Sequence, residues 1–303
     1  MVPAAKMHVD EVDVDEALVR RLLGEQLPQW AELPLERVPS DGTDNAIYRL
    51  GDDMAVRMPR YPSAAGQVTK EAQWVPRLAP HLPLDVPVPL ALGEPGDGYP
   101  WRWSVVTWLP GGRASFEALS DPGDAAARLA GFVRALERID TEGGPPPGDH
   151  NFGRGAPLAT RDGYVRDALA QLGSELDVGA AEAAWERALS APEYSAPGVW
   201  IHGDLHGGNL LTNGGRLTGV IDFGGLGVGD PACDVMPAWT FFRGPARATF
   251  RERLAVDDAT WERGRGWALS MGLIALPYYR DTNPSLAGTA RRWIEEVLTD
   301  RDG

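Results

Sequence analysis

In the N-terminal third of the chain, the pattern of apolar and polar positions changes from helical spacing to short strands. Residues 14–26 predict an amphipathic helix, because apolar side chains share one face, at positions 14, 17, 18, 22 and 23. Two apolar runs at 46–50 and 54–58 flank a Gly-Asp-Asp turn and predict a β-hairpin. Further runs at 86–92 and 103–109 predict two more strands, the second of them rich in β-branched residues.

Helical patterns dominate the remainder of the chain. One helix is predicted earlier, at 64–78, where Pro76 would end or bend it because proline lacks a backbone N–H. After the break at Pro110-Gly111-Gly112, helices are predicted at 125–139, 164–176, 180–190, 260–276 and 286–299. Residues 199–226 return to short strands and turns.

The change of pattern near residue 110 indicates an α+β protein with two lobes. The N-terminal lobe, residues 1–109, would be small and β-rich, and the C-terminal lobe, residues 110–303, would be larger and mainly helical. No run approaches the roughly 18 apolar residues of a transmembrane helix, and the acidic N-terminus does not resemble a signal peptide. A cytoplasmic protein without a membrane partner is therefore expected.

The chain is strongly acidic, with a formal net charge of −14 over 303 residues. Because binding to nucleic acid needs clustered Lys and Arg, this charge argues against a nucleic acid partner. It would concentrate cationic ligands near the surface, although solubility alone explains the same charge. The single cysteine, Cys233, excludes an internal disulfide, and its apolar neighbours predict a buried, inert thiol.

Candidate catalytic residues are concentrated in a segment that reads VWIHGDLHGGNLL, residues 199–211. Its His202-x-Asp204-x4-Asn209 pattern is followed, after a predicted strand, by Asp222-Phe223-Gly224. Phosphoryl transfer needs one carboxylate to take the proton of the attacking hydroxyl, and oxygen ligands for magnesium on the nucleotide phosphates. Asp204 is predicted to be the base, and Asn209 and Asp222 are predicted to bind Mg²⁺. The ordered combination of both motifs indicates a kinase-type reaction.

A further motif, Gly229-Asp230-Pro231-Ala232-Cys233-Asp234, completes a pattern that resembles the aminoglycoside phosphotransferase family, a branch of the protein-kinase-like fold. The resemblance implies a two-lobed fold with nucleotide in the cleft. It also implies that Asp234 holds the catalytic loop by accepting backbone N–H bonds, with a third metal ligand as the alternative. His202 would be a packed, hydrogen-bonded residue rather than a base, while His206 would contact the substrate or stabilise the loop.

The same resemblance implies a nucleotide site in the N-terminal lobe. A phosphate-covering loop is implied at Ser40, Gly42, Thr43 and Asn45. An ordinary hairpin turn is the alternative for this segment. Arg57 stands where related kinases usually have lysine, and its guanidinium can still bind phosphate. Glu71 would orient Arg57, with a solvated surface charge as the alternative.

Residues 104–109 would form the hinge between the lobes. By the resemblance, backbone groups of Thr107 and Leu109 would bind adenine, with Val106 beside the ring. The implied cofactors are ATP, or GTP in its place, and Mg²⁺.

The acceptor is left open by the sequence. The resemblance implies a small-molecule hydroxyl, and acidic or aromatic side chains would suit a cationic, aminoglycoside-like acceptor, as in an antibiotic-resistance kinase. Candidate side chains are Asp149, Asn151, Glu175, Asp177, Glu182, Trp239, Tyr278, Tyr279 and Asp281. The alternatives are a metabolite kinase with a choline-, homoserine- or macrolide-type acceptor and a non-catalytic nucleotide-binding relative. The protein would be a monomer or a homodimer.

Overall fold

The chain divides into two compact units in the computed structural model, which describes residues 12–39 and 44–300. The first unit comprises residues 1–80 and 85–110, and the second comprises residues 81–84 and 111–303. Within the described ranges, no helix combines the length and the hydropathy that crossing a membrane requires.

The first unit is built on a five-stranded antiparallel sheet. Its strands are β1 (Leu35–Arg37), β2 (Asn45–Leu50), β3 (Met54–Pro59), β4 (Pro89–Gly93) and β5 (Trp103–Thr107). They lie in the order β1-β2-β3-β5-β4. In the described part of this unit, the sheet is accompanied by α1 (Glu16–Gln26) and α2 (Pro62–Leu78).

The alternation of burial along β2 explains why this segment forms a strand. Ala46, Tyr48 and Leu50 are buried, whereas the residues that alternate with them are half-buried. The core beneath them includes the fully buried Trp103 of β5. That indole packs directly on Gly93, where a Cβ would lie 1.9 Å from the ring, so only glycine fits at this position of β4.

The predicted hairpin and both predicted helices of this unit are confirmed, with their ends shifted by a few residues. Pro76 does not end α2, which continues to Leu78. The strand predicted at 103–109 ends at Thr107. The sequence does not predict β1, because a three-residue strand in which Leu35 alone is buried is too short to display an alternating pattern.

The second unit is mainly helical. Its helices are α3 (Pro122–Glu137), α4 (Asp162–Leu172), α5 (Val178–Leu189), α6 (Pro237–Thr240), α7 (Gly244–Leu254), α8 (Asp258–Tyr279) and α9 (Pro284–Thr299). The long helix α8 packs against α4, α5 and α9, so most of its side chains are buried. Its Trp267 is completely inaccessible to solvent. The core of this unit is therefore built around α8.

Helix α7 is not predicted from the sequence. Its buried residues, Ala246, Phe250 and Leu254, are spaced by four and form a narrow stripe that packs against α3. Arginine and threonine occupy most of the intervening positions, so the apolar stripe is too sparse to be recognised beside the stronger helices.

Short strands interrupt the helices of the second unit. They are β6 (Gly112–Arg113), β7 (Val199–Ile201), β8 (Leu210–Asn213), β9 (Arg216–Val220) and β10 (Gly227–Gly229). β8 and β9 form an antiparallel hairpin flanked by β6, and β7 pairs antiparallel with β10. The segment that follows β7 and the segment that follows β9 carry the candidate catalytic residues.

Candidate active site

The loop after β7 is fixed at its start by the buried carboxylate of Asp234. One oxygen of Asp234 accepts the backbone N–H of His202 at 2.6 Å, and the other accepts that of Gly203 at 2.7 Å. Gly203 has a φ of 81°, and a Cβ there would lie 2.4 Å from the carbonyl oxygen of Gly225. The predicted role of Asp234 as an acceptor for backbone N–H groups of the loop is therefore confirmed.

His202 is fully buried and uses both ring nitrogens within the loop. Nδ1 accepts the backbone N–H of Asp204 at 3.2 Å, and Nε2–H donates to the carbonyl of Ile221 at 3.1 Å. One acceptor and one donor define a neutral imidazole. Burial lowers the pKa of His202 to about 4, which keeps the ring neutral. The prediction that His202 is a packed, hydrogen-bonded residue is confirmed.

Asp204 presents a partly exposed carboxylate, with 27% of its side chain accessible. The side-chain amide of Asn209 donates to Oδ2 and to the backbone carbonyl of Asp204, each at 2.9 Å. Nε2 of His206 lies 3.5 Å from Oδ2, and Nη2 of Arg154 lies 3.6 Å from Oδ1. Burial acts to raise the pKa of Asp204, but His206 and Arg154 outweigh it and hold the pKa below its ordinary range.

The β8–β9 hairpin brings Asn209 close to the segment that contains Asp222. Leu210 pairs with Val220 in the hairpin, and the N–H of Ile221 donates to the carbonyl of Asn209 at 2.9 Å. Asp222 follows at once, with a left-handed φ of 68°, a conformation that aspartate tolerates better than most residues. Its Oδ1 accepts the N–H of Gly224 at 3.3 Å.

The side-chain oxygen atoms of Asn209 and Asp222 are of the kind that binds a magnesium ion. The amide NH₂ of Asn209 is directed at Asp204, which leaves its carbonyl oxygen without a hydrogen bond to any described residue. Mg²⁺ on a nucleotide typically takes one or two protein oxygens, completing its shell with phosphates and water. The described residues contain no cluster of three or more His, Cys, Asp or Glu that would form a complete protein cage.

In the first unit, Arg57 of β3 and Glu71 of α2 form an ion pair, with 2.5 Å between Nη1 and Oε2. Only 12% and 4% of the two side chains are exposed, so the predicted pairing is confirmed and a solvated surface charge is excluded. Asn45 is the first residue of β2 and pairs in register with Pro59. Ser40, Gly42 and Thr43, which complete the predicted phosphate-covering loop, lie outside the described residues.

Residues 104–107 of the predicted hinge belong to β5, and residues 108 and 109 follow this strand. Val106 is buried within the strand. The N–H of Thr107 donates to the carbonyl of Val88 at 2.9 Å, so the sheet already uses this donor. The N–H of Leu109 makes no hydrogen bond with any described residue. The backbone N–H of Leu109 is therefore available to a ligand, whereas that of Thr107 is not.

Residues 36–267 match the model of the phosphotransferase enzyme family, APH. The chain belongs to this family. Aminoglycoside 3'-phosphotransferases of Escherichia coli and Salmonella typhimurium are each 26% identical to it over 181 residues, which is 58% of this chain. The chain spans 64% of the length of these curated relatives.

Solved structures share the fold of this phosphotransferase family member at low identity. The GDP and kanamycin complex of APH(2")-IIia aligns with a TM-score of 0.73 and 20% identity over 93% of this chain and 99% of that one. The apoenzyme of macrolide 2'-phosphotransferase MphH from Brachybacterium faecium aligns with a TM-score of 0.60 and 21% identity over 92% and 98% of the chains. The predicted α+β, protein-kinase-like fold is confirmed.

Two of the predicted acceptor-binding residues have structural roles instead. Asn151 is fully buried, and its side-chain amide donates to the carbonyl of Arg154 at 3.0 Å. Trp239 is buried, and its indole N–H donates to Asp300 at 2.7 Å. Both side chains are buried and make hydrogen bonds inside the protein, so the expectation that they bind the acceptor is wrong.

The remaining acceptor candidates differ in their surroundings. The carboxylate of Glu175 forms ion pairs with Nη1 of Arg280 and Nη2 of Arg291, each at 3.1 Å. Tyr278 is 52% exposed. Asp149, Asp177, Glu182, Tyr279 and Asp281 stay predictions.

Two side chains near the candidate catalytic loop were not predicted from the sequence: one lies beside Asp204 and the other beside His206. Nη2 of Arg154 lies 3.6 Å from Oδ1 of Asp204, and the ring of Trp293 on α9 is tilted against that of His206, with 5.4 Å between ring centroids. Neither residue belongs to a motif, and both are distant in sequence from the catalytic loop. A basic residue in a Gly-rich segment, Gly153-Arg154-Gly155, was the one available signal for Arg154.

Proposed function

We propose that this protein transfers the γ-phosphoryl group of a nucleoside triphosphate to a hydroxyl of a small molecule, with Asp204 as the base. The observation that carries the proposal is the Asp204 carboxylate, which is partly exposed and oriented by two hydrogen bonds from Asn209 to its side chain and backbone. A fixed, accessible carboxylate next to oxygen ligands for magnesium is the arrangement that phosphoryl transfer requires.

The low pKa of Asp204 defines its role in the reaction. An ionised carboxylate accepts a hydrogen bond from the acceptor hydroxyl and orients its oxygen toward the phosphorus atom. Since Asp204 is a weak base, it receives the proton once the new O–P bond has largely formed. Asn209 and Asp222 would hold the metal, which neutralises charge on the nucleotide phosphates when bound.

The first unit would bind the nucleotide through Arg57 and the backbone N–H of Leu109. The buried partner Glu71 fixes the guanidinium of Arg57, which can donate two parallel N–H bonds to phosphate oxygens. The N–H of Leu109 would donate to the base. ATP is the proposed donor and GTP the alternative, since the similar solved structures include complexes with GDP, ADP and ATP.

An aminoglycoside-like molecule is the proposed acceptor. The curated relatives are aminoglycoside 3'-phosphotransferases, and the net charge of −14 favours a polycationic ligand. His206 and the half-buried Trp293 place an aromatic surface beside Asp204 that would suit the face of a sugar ring. A macrolide is the second candidate, because macrolide 2'-phosphotransferases have the same fold.

The experiment that tests this proposal measures phosphorylated product by mass spectrometry after incubation with Mg·ATP or Mg·GTP. Kanamycin, a macrolide and choline serve as acceptors, and Asp204→Asn serves as the matched control. Product with kanamycin in the wild type and not in the variant supports the proposal. Product with the macrolide or choline alone overturns the aminoglycoside assignment. Nucleotide binding without product from any acceptor favours a non-catalytic relative.

A further inference from the structure

Arg154 carries a guanidinium group whose burial is not balanced by hydrogen bonds. Its side chain is 9% exposed, and it makes no side-chain hydrogen bond with any described residue. Its Nε is buried without a partner. Buried charged groups are normally paired and hydrogen-bonded, because removing a charge from water is costly. An arginine that departs from this rule beside a candidate base has donors available for a ligand.

The position of Arg154 is fixed by the short segment that contains it. The fully buried Asn151 donates from its side chain to the carbonyl of Arg154 at 3.0 Å, and its own carbonyl accepts the Arg154 N–H at 3.1 Å. The next residue, Gly155, accepts the N–H of Asp230 at 2.8 Å. The guanidinium itself lies over the ring of Trp267, with 5.7 Å from Cζ to the centroid. Arg154 is therefore held in place before any ligand binds.

The guanidinium lies beside the oxygen of Asp204 that is left for the acceptor. Oδ2 of Asp204 accepts from Asn209 and faces His206, whereas Oδ1 has Nη2 of Arg154 at 3.6 Å. That separation exceeds a hydrogen bond, so the two groups attract one another without using the guanidinium donors. A hydroxyl donating to Oδ1 would lie next to Arg154, and so would a phosphoryl group arriving on that hydroxyl.

We propose that Arg154 is a catalytic residue that donates N–H bonds to the oxygens of the phosphoryl group during transfer. The inference rests on the proposed function. In that step the acceptor oxygen forms a bond to the γ-phosphorus, and the bond from this phosphorus to the β–γ bridging oxygen breaks. The nucleoside diphosphate leaves with the electron pair, and the hydroxyl proton passes to Asp204. Arg154 stays protonated throughout and stabilises negative charge on the phosphoryl oxygens.

A second arginine provides the matched control. Arg161 lies over the same Trp267 ring, with 4.9 Å from Cζ to the centroid, but its Nε donates to Ser270 at 2.8 Å. Replacing either arginine by methionine removes one positive charge and one stacked side chain from the same indole. Only the change at position 154 removes the donors beside Asp204.

The test compares the affinity for Mg·ADP with and without aluminium fluoride, a planar mimic of the phosphoryl group, by calorimetry. The wild type should bind the fluoride complex on the order of 100-fold more tightly than Mg·ADP alone. Arg154→Met should lose most of this gain with unchanged affinity for Mg·ADP. Arg154→Lys should recover part of it, because lysine keeps the charge but not the planar fork. Arg161→Met should keep the whole gain.

The outcomes separate this inference from the proposed function. A wild type that does not bind Mg·ADP overturns the proposed function. A wild type that binds Mg·ADP without any gain from aluminium fluoride overturns the role of Arg154, as does Arg154→Met with the gain intact. Equal losses in Arg154→Met and Arg161→Met also overturn it, because they would show a general effect of the two charges around Trp267.

Discussion

The buried carboxylate of Asp234 accepts the backbone N–H of His202 at 2.6 Å, which fixes the start of the loop after β7 to the core of the second unit. Its other oxygen binds the N–H of Gly203. Asp234→Asn replaces one of these acceptors with an NH₂ group that cannot accept. Leaving a buried backbone N–H unsatisfied should lower the free energy of unfolding by about 1–3 kcal/mol, measured by urea denaturation.

Asp121→Asn is the control for this change. Asp121 also accepts a backbone N–H, that of Asp124 at 3.0 Å, but it caps the exposed start of α3. Asparagine is as good an N-cap as aspartate, so the expected loss is below about 0.5 kcal/mol. Equal losses in the two variants would contradict the role assigned to Asp234.

His202 makes the stability of the protein depend on pH. Burial lowers its pKa to about 4, against about 6.5 in the unfolded chain. Between these values the unfolded state binds more protons, so the free energy of unfolding rises with pH across this window and falls on acidification. Lowering the pH from 7 to 5 should remove about 2 kcal/mol through this residue.

His202→Asn provides the comparison. Asparagine also carries a donor and an acceptor but does not titrate, so the variant should lose the His202 part of the difference between pH 7 and pH 5. Urea denaturation of both proteins at the two pH values measures it. Identical pH dependence in the two proteins would show that His202 does not titrate as inferred.

The ion pair between Arg57 and Glu71 should contribute far more to stability than the exposed pairs of the same unit. Glu71→Gln removes the negative charge that faces the buried guanidinium of Arg57, and the expected cost is about 3 kcal/mol. The control is Glu94→Gln, since Glu94 pairs with Arg102 at 3.0 Å while both side chains are about half exposed. That change should cost below about 1 kcal/mol. Similar losses of unfolding free energy in Glu71→Gln and Glu94→Gln would show that the buried ion pair does not stabilise the protein more than the exposed one.

Asp222 is expected to increase the affinity for nucleotide by binding the magnesium ion that accompanies it. Asp222→Asn removes one negative charge, and asparagine tolerates the left-handed backbone at this position. Calorimetry should show weaker binding of Mg·ADP and unchanged binding of metal-free ADP. A loss that is the same with EDTA as with magnesium would contradict the metal assignment.

Sequence patterns predicted the elements whose structure depends mainly on neighbouring residues in the chain. Two apolar runs around a Gly-Asp-Asp turn predicted the hairpin of β2 and β3, and the spacing of polar residues around Asp204 indicated the candidate catalytic loop. The bracing role of Asp234 was implied by the family resemblance. These features depend on short stretches of backbone and on motifs whose members lie close together in the chain.

The parts that sequence did not predict depend on contacts between distant segments. Arg154 lies beside Asp204 because Asn151 and Asp230 fix the short segment that contains Arg154, and no periodicity encodes that arrangement. For the same reason the sequence suggests Asn151 and Trp239 as acceptor-binding candidates, since it does not reveal that an internal hydrogen bond already uses a polar side chain. α7 was missed because its buried stripe is only one residue wide.

If Asp204 is the base for phosphoryl transfer, its replacement by asparagine should slow the transfer without weakening nucleotide binding. The rate of phosphoryl transfer from Mg·ATP to kanamycin is compared between the wild type and Asp204→Asn, together with the affinity of each for Mg·ADP. Asparagine can keep the hydrogen bond from Asn209 but cannot take a proton. We expect the rate in Asp204→Asn to be lower by about 10²–10⁴-fold, with nearly unchanged affinity for Mg·ADP. Transfer at the wild-type rate in this variant would show that Asp204 is not the base.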